Sequence, residues 1–382
     1  MRGWRRVLVG LVGGVVVAVA IVWVGGRSLG WFAGSPSGCD DAGEQQTVNP
    51  PQAGPAPEVD LPASAVRTIA TGLCAPWGLA FLPDGTALVT ERDTTRILSV
   101  TPAGQVAEVQ RVAEARPRGE GGLLGIAVSP DYATDRWIYI YYSTDTDNRV
   151  ARLHLGEDPQ PILTGIPVRD FHQGGRIAFG PDGMLYVTVG DTYEQPHLAQ
   201  DRSSLAGKIL RITPEGRPAP GNPFPGSAVW SMGHRHDQGL AWDAQGRMYA
   251  SEFGQDRRDE LNLIRPGGNY GWPATEGEGN DPRFVDPIVS WAPAEASPSG
   301  IAVIDDRIYI ACLRAERLYR VGLDGRNMEA LLVGEYGRLR HVATAPDGWL
   351  WVMTSNRDKR GNPTDGDDRI LRLTPDAAVP AK

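Results

Sequence analysis

One unit recurs six times along this chain, and that recurrence limits the fold more than any other feature. An apolar strand, a turn with Asp or Gly, a second apolar strand, a polar stretch and a third strand ending in a turn make up each copy. The copies are "PWGLAFLPDGTALVTERDTTRILSVTPAG", "GLLGIAVSPDYATDRWIYIYYSTDTDNRVARL", "GGRIAFGPDGMLYVTVGD" with "GKILRITPEG", "QGLAWDAQGRMYASEFGQDRRDELNLIRPGG", "PSGIAVIDDRIYIACLRAERLYRVGLDG" and "LRHVATAPDGWLWVMTSN" with "DDRILRLTPD". Strands such as "LYVTV" and "IYIYY" are β-branched and aromatic, and "PDG" joins a proline-fixed turn to a glycine suited to positive φ. No such meander buries both faces alone. Six packed radially predict an all-β, six-bladed β-propeller of four-stranded antiparallel blades. A β-sandwich would not require the same unit six times. The 47 glycines and 31 prolines spread over 382 residues fit a chain of many tight turns, and 41% apolar content supplies a core.

Two segments precede the repeats. In residues 1–28, Arg2, Arg5 and Arg6 lead into roughly 20 uncharged, mostly apolar residues, about the length that spans a bilayer core. The preceding positive charge puts the N-terminus in the cytoplasm. The reading is an uncleaved signal anchor holding an extracytoplasmic body to the membrane, with a cleaved signal peptide and secretion as the alternative. "PSGC", ending at Cys39, lacks the Leu of a lipoprotein box. Residues 29–62 are rich in Pro, Ala, Gly and acids without apolar periodicity, and read as a tether. The propeller is expected over residues 63–378. Export permits disulfides, but three cysteines (Cys39, Cys74 and Cys312) leave one odd, and the pairing stays open.

A net charge of −8 offers no basic field for phosphate backbones, which argues against nucleic acid as a partner. In a propeller, the loops entering the innermost strands gather at one mouth. Those loops carry Glu120 before "GGLLGIAV", His172 in "FHQGGRIAFG", Arg235 and His236 in "GHRHDQGLAW", and Arg338 and Arg340 in "GRLRHVATAPDG". Arg314 in "ACLRAERLYR" falls after a second strand instead. Several cations around one mouth of an acidic protein imply a ligand with multiple carboxylates or phosphates, although any single arginine could pair with a local acid. His172 has no metal-binding context and reads as a general base or as packing. His234 and His236 alternate along an extended segment, as zinc ligands could, yet no third ligand is spaced to join them. The stretch "SEFGQDRRDELNLIRPGGNYGWP" offers carboxylates and carbonyls to a hard cation such as Ca²⁺, or is a polar turn before a hairpin.

In this order, "EGGLLGIAVSPDY", "HQGGRIAFGPDGMLYVTVGD", "GHRHDQGLAW", "DELNLIRPGGNYGWP" and "GRLRHVATAPDG" resemble the soluble quinoprotein glucose dehydrogenase and aldose sugar dehydrogenase family, the glucose/sorbosone dehydrogenases. The likeness covers about residues 70 to 375. It implies a propeller that binds pyrroloquinoline quinone (PQQ) with Ca²⁺ and oxidises the anomeric carbon of aldoses to lactones, passing electrons to an unidentified acceptor. By motif, His172 falls on the base that takes the C1 hydroxyl proton while hydride moves to the quinone, and Arg235 on the residue that polarises the quinone oxygen. Glu120, His236, Arg314, Arg338 and Arg340 fall on PQQ-contacting positions. The carbonyls of Gly254 and Gln255 match the Ca²⁺ that touches PQQ, while Glu260 and Tyr270 match a structural Ca²⁺. "GHRHDQG" is then a loop that holds Arg235 and His236 over a cofactor.

The chain departs from its glucose-oxidising relatives in several places. Phe171 stands where they have an aspartate beside the base, so another group must orient His172. Glu120, His236 and Arg314 replace Gln, Asn and Lys. A carboxylate at Glu120 beside an anionic cofactor is unfavourable unless paired or protonated. The short segment after Pro273 predicts an open cleft and broad aldose selectivity. A calcium-dependent lactonase, or a propeller that binds without catalysis, are the alternatives; the arginine set opposes the first, and His172 with Arg235 the second.

Overall fold

The computed structural model describes residues 56–374. The expected membrane segment, most of the tether and Cys39 lie outside the described residues. Among the described residues, twenty-four strands form six four-stranded antiparallel sheets. The innermost strands are Pro76–Phe81, Leu123–Val128, Ile177–Phe179, Asp237–Trp242, Pro298–Ile304 and Leu339–Thr344, belonging to blades 1 to 6. Each touches the next, and the sixth touches the first, closing the ring. The architecture expected from the repeats is the one observed.

Close packing at the axis follows from the recurrent small residue ahead of each apolar-Ala pair. Blades 1, 2, 4 and 5 place Gly78, Gly125, Gly239 and Gly300 there. A Cβ on Gly125 would meet the Gly175 carbonyl oxygen at 2.2 Å, and one on Gly239 the Ser299 carbonyl oxygen at 2.4 Å. Blades 3 and 6 carry Arg176 and His341 instead, both buried. From blade 3, Arg176 lies 4.2 Å over the Trp77 ring of blade 1 and donates from Nε to the Gln238 carbonyl of blade 4 at 2.7 Å. Two large side chains therefore take up the room that four glycines leave. Second strands such as Ala87–Glu91 and Leu350–Thr354 are buried along their whole length, because neighbouring blades cover both faces.

The last sheet closes with a strand from the other end of the domain. Val66–Ala70 pairs antiparallel with Ile370–Leu373, so blade 6 joins both ends of the described chain. The tether also ends earlier than expected. Pro57 accepts a hydrogen bond from the Ala330 amide and Val59 donates to the Ala330 carbonyl, at 3.0 and 2.9 Å. Residues 56–62 thus cover the free edge of Glu329–Leu331, the outermost strand of blade 5. Proline and alanine richness concealed this because edge pairing needs only alternate backbone groups. Cys74 is disulfide-bonded, and Cys312 is a buried free thiol.

A chain starting at residue 71 lacks the closing strand, while one starting at 56 keeps it. The shorter chain is expected to lose about 1 kcal/mol for each ladder hydrogen bond removed, read as a lower urea midpoint beside the longer chain.

Candidate active site

His172 precedes the innermost strand of blade 3 in a left-handed backbone conformation, with φ of 56°. Two contacts hold it there. Its amide donates to Glu120 Oε2 at 3.0 Å, and Gly190 leaves room for its carbonyl, which a Cβ would approach to 1.8 Å. The ring is buried between an acid and a base. Nδ1 lies 2.7 Å from Asp191 Oδ1, and Nε2 lies 2.8 Å from Arg235 Nη2. A carboxylate only accepts and a guanidinium only donates, so the neutral imidazole carries its proton on Nδ1 and turns the Nε2 lone pair to Arg235.

Asp191 is the orienting group that the sequence left unmarked, and it stands in "VGD", 19 residues from His172. Its second oxygen accepts from Trp272 Nε1 at 2.7 Å, and the Tyr193 amide donates to the first at 2.8 Å. Burial raises its pKa, but the hydrogen bonds from His172 and the Tyr193 amide, with the charge of Arg235, more than offset this and hold it below the usual carboxylate range. Arg235 itself is buried against neutral acceptors, Gln255 Oε1 at 2.7 Å and the Phe253 carbonyl at 3.0 Å. Desolvation lowers its pKa.

The carboxylate of Glu120 is paired. Oε1 meets Arg360 Nη2 at 2.9 Å, and Oε2 lies 3.9 Å from His236 Nε2. Burial raises its pKa, yet the charge of Arg360 and the hydrogen bond from the His172 amide hold it well below the ordinary value. Arg360 comes from a blade 6 loop, and no sequence spacing links it to Glu120. Burial pushes His236 down to about 3, so it is neutral, and it accepts from Gln238 Nε2 at 3.1 Å. Arg338 and Arg340 share Asp358 Oδ2, at 3.0 and 3.2 Å. Two guanidiniums on one buried acid leave positive charge over. Arg92, which no sequence motif marks, adds to the field at Asp358 and Glu120 while pairing with Asp93 at 2.7 Å.

Arg314 is exposed and meets the site through its charge at Asp259, not through a hydrogen bond to the other candidates. Asp259 accepts from the amides of Gly254 and Ser297, at 2.9 and 2.7 Å, which fixes the loop carrying Gly254 and Gln255. Neither of their carbonyls accepts a hydrogen bond among the described residues, which leaves both available as oxygen ligands for a hard cation. Glu260 accepts from Asn262 and the Gly277 amide, and burial followed by Glu252 raises it to about 8. The Tyr270 hydroxyl donates to the Leu263 carbonyl and accepts from the Arg265 amide, so its own carbonyl is the ligand atom it has left.

A family model for glucose/sorbosone dehydrogenase matches residues 73–364. The chain belongs to this family. The dehydrogenase is 52% identical to the PQQ-bound aldose sugar dehydrogenase of Streptomyces coelicolor, over 82% of this chain and 99% of that one, with a TM-score of 0.78. It is 28% identical to the aldose sugar dehydrogenase YliI of Escherichia coli, over 76% of this chain and 89% of the relative. It is 35% identical to quinoprotein glucose dehydrogenase B of Acinetobacter calcoaceticus, over 57% of this chain and 54% of that protein.

Replacing Asp358 by Asn in the dehydrogenase would leave Arg338 and Arg340 without their shared acid. A loss of about 3 kcal/mol is expected at neutral pH. Asp358 has a folded pKa held far below normal by Arg338, Arg340 and Arg92 against burial. Its stabilisation is therefore complete above the ordinary carboxylate pKa near 4 and declines as pH falls through the lowered value. Urea titrations should show the gap between wild type and Asp358→Asn narrowing below about pH 4.

Proposed function

We propose that the chain is a PQQ-dependent aldose dehydrogenase of broad sugar range that oxidises the anomeric carbon to the lactone. One observation carries this reading: a neutral histidine whose Nε2 lone pair faces a guanidinium while a buried carboxylate fixes the opposite nitrogen. PQQ, when bound, would supply the hydride acceptor for the C1 carbon. The residues present fit a tricarboxylate: Arg338 and Arg340 hold excess positive charge, Arg235 has only neutral partners, and Glu120 is neutralised by Arg360. The free carbonyls of Gly254 and Gln255 would hold Ca²⁺.

His172 Nε2 takes the C1 hydroxyl proton once the sugar hydroxyl replaces Arg235 at that nitrogen. Asp191 then faces an imidazolium and stabilises it, a role that Nδ1 geometry already prepares. The guanidinium of Arg235, whose acceptors here are neutral, would set positive charge against a bound quinone. Tyr193 is exposed with its ring 5.2 Å from that of His172, and it offers the sugar an aromatic face. A lactonase would need a cation but no surplus of arginines, and a binding propeller would need no Asp191–His172 pair. The N-terminal pattern of three arginines before an apolar run supports an extracytoplasmic, membrane-tethered enzyme that passes electrons to an acceptor outside the cytoplasm.

The test is reconstitution of the folded body with PQQ and Ca²⁺, followed by dye reduction with a panel of aldoses. Turnover should require both additions. His172→Ala and Asp191→Asn should each lower kcat by about 10²-fold or more while PQQ stays bound; failure to bind PQQ at all would sink the reading. Tyr193→Ala should raise KM by roughly 3- to 10-fold with kcat little changed, and Tyr193→Phe should restore it.

A further inference from the structure

We propose that His234, Asp237 and Glu252 bind a divalent cation of the zinc or manganese class beneath the loop that carries Arg235 and His236. All three side chains are buried, with His234 and Asp237 at 0% exposure. His234 Nδ1 lies 3.0 Å from Glu252 Oε2 and 3.2 Å from Asp237 Oδ2. The three ligand atoms lie within 4.8 Å of one another. Ligands on an ion with bonds of about 2.1 Å lie about 3 Å apart at right angles and about 3.4 Å apart in a tetrahedron.

The side chains point to a ligand independently of their clustering. Neither oxygen of Asp237 has a hydrogen-bond partner, and Asn262 Oδ1 is also unpartnered although its Nδ2 reaches Glu252 and Glu260. Among the described residues no lysine or arginine is ion-paired with Asp237, Glu252 or Glu260. The buried negative charge of Asp237 and Glu252 is therefore balanced by no side-chain cation in direct contact, which favours a bound metal ion. The histidine is set up as a ligand. Nε2 lies 2.8 Å from Ser231 Oγ and the ring stacks on Tyr270 at 4.6 Å, which leaves the Nδ1 lone pair facing the acids once Nε2 donates to the serine.

One imidazole nitrogen with two carboxylates suits zinc or manganese better than Ca²⁺, which takes six to eight oxygens. The group adjoins Glu260 and Tyr270, through Asn262 and through the stacked ring, but its ligand atoms are those of His234, Asp237 and Glu252. His236, the zinc partner that sequence spacing offers, turns instead to Gln238 and Glu120. The ion would have a structural role, because Glu252 Oε1 accepts the Arg235 amide and the same carboxylate would bind metal and hold the residue that faces His172. "GHRHDQG" would then serve both sides of one loop, with Arg235 and His236 toward the mouth and His234 and Asp237 toward the metal.

The test reads metal, not turnover. The chain, purified without a histidine tag and stripped by a chelator, is saturated with Ca²⁺ and given Zn²⁺ or Mn²⁺. About one equivalent of either should be retained, raising Tm by several degrees, and anomalous diffraction at the metal edge should place it between Nδ1 of His234 and the two carboxylates. Asp237→Asn should lose that equivalent and its Tm rise. Retention below a tenth of an equivalent, no anomalous peak there, or occupancy by Ca²⁺ alone would each overturn the proposal. So would a metal-free Asp237→Asn more stable than wild type, which marks a protonated Asp237 shared with Glu252. If the variant fails to fold, the wild-type anomalous map decides.

Discussion

Closure of the ring is the constraint on which everything else depends. Six innermost strands can meet about one axis only if their backbones approach to distances that leave no room for a Cβ at Gly125 or Gly239. Apolar burial drives the blades together, but it is non-directional and would not by itself select six. The direction comes from backbone packing at the axis and from the Val66–Ala70 strand that ties blade 6 across both ends of the described chain. Once the ring is closed, loops far apart in sequence share a mouth.

At that mouth the chemistry depends on charges being buried in unequal numbers. Desolvation disfavours every ionised group there, yet Asp191, Glu120 and Asp358 stay charged because each faces a cation or hydrogen-bond donors. Arginines outlast the local acids, since Arg338 and Arg340 share Asp358 and Arg235 has none in direct hydrogen-bond contact. That imbalance is costly for the protein alone and useful toward an anionic ligand. Glu120 is the informative case. Taken singly it opposes such a ligand, but with Arg360 it is a neutral pair that also holds the His172 amide.

The loop from Gly233 to Gln238 joins the two chemistries of the molecule. A bend at Arg235 breaks the alternation of an extended segment, so His234 and Arg235 are sent to different neighbours. Arg235 reaches His172, and His234 reaches Glu252 and Asp237. Glu252 then bonds the Arg235 amide from below. Anything that fixes or loosens the acidic group therefore acts on the position of Arg235 without touching substrate.

The sequence by itself determined the blades and which loops meet at one mouth. Strand periodicity and turn residues are local properties, and repeating them six times leaves one economical way to bury both faces of each sheet. Residues before each inner strand were legible for the same reason: topology alone brings them to one end. Partnerships were decided only by the tertiary structure. Asp191 against His172, Arg360 against Glu120, Arg92 beside Asp358, and Glu252 against His234 join positions on different strands or blades, where no period or spacing marks them. Phe171 made the loss of one acid visible in the sequence; only the fold showed that Asp191 supplies another. Residues 56–62 carry the composition of a tether, yet they pair with Ala330 because an open sheet edge accepts any backbone that can reach it.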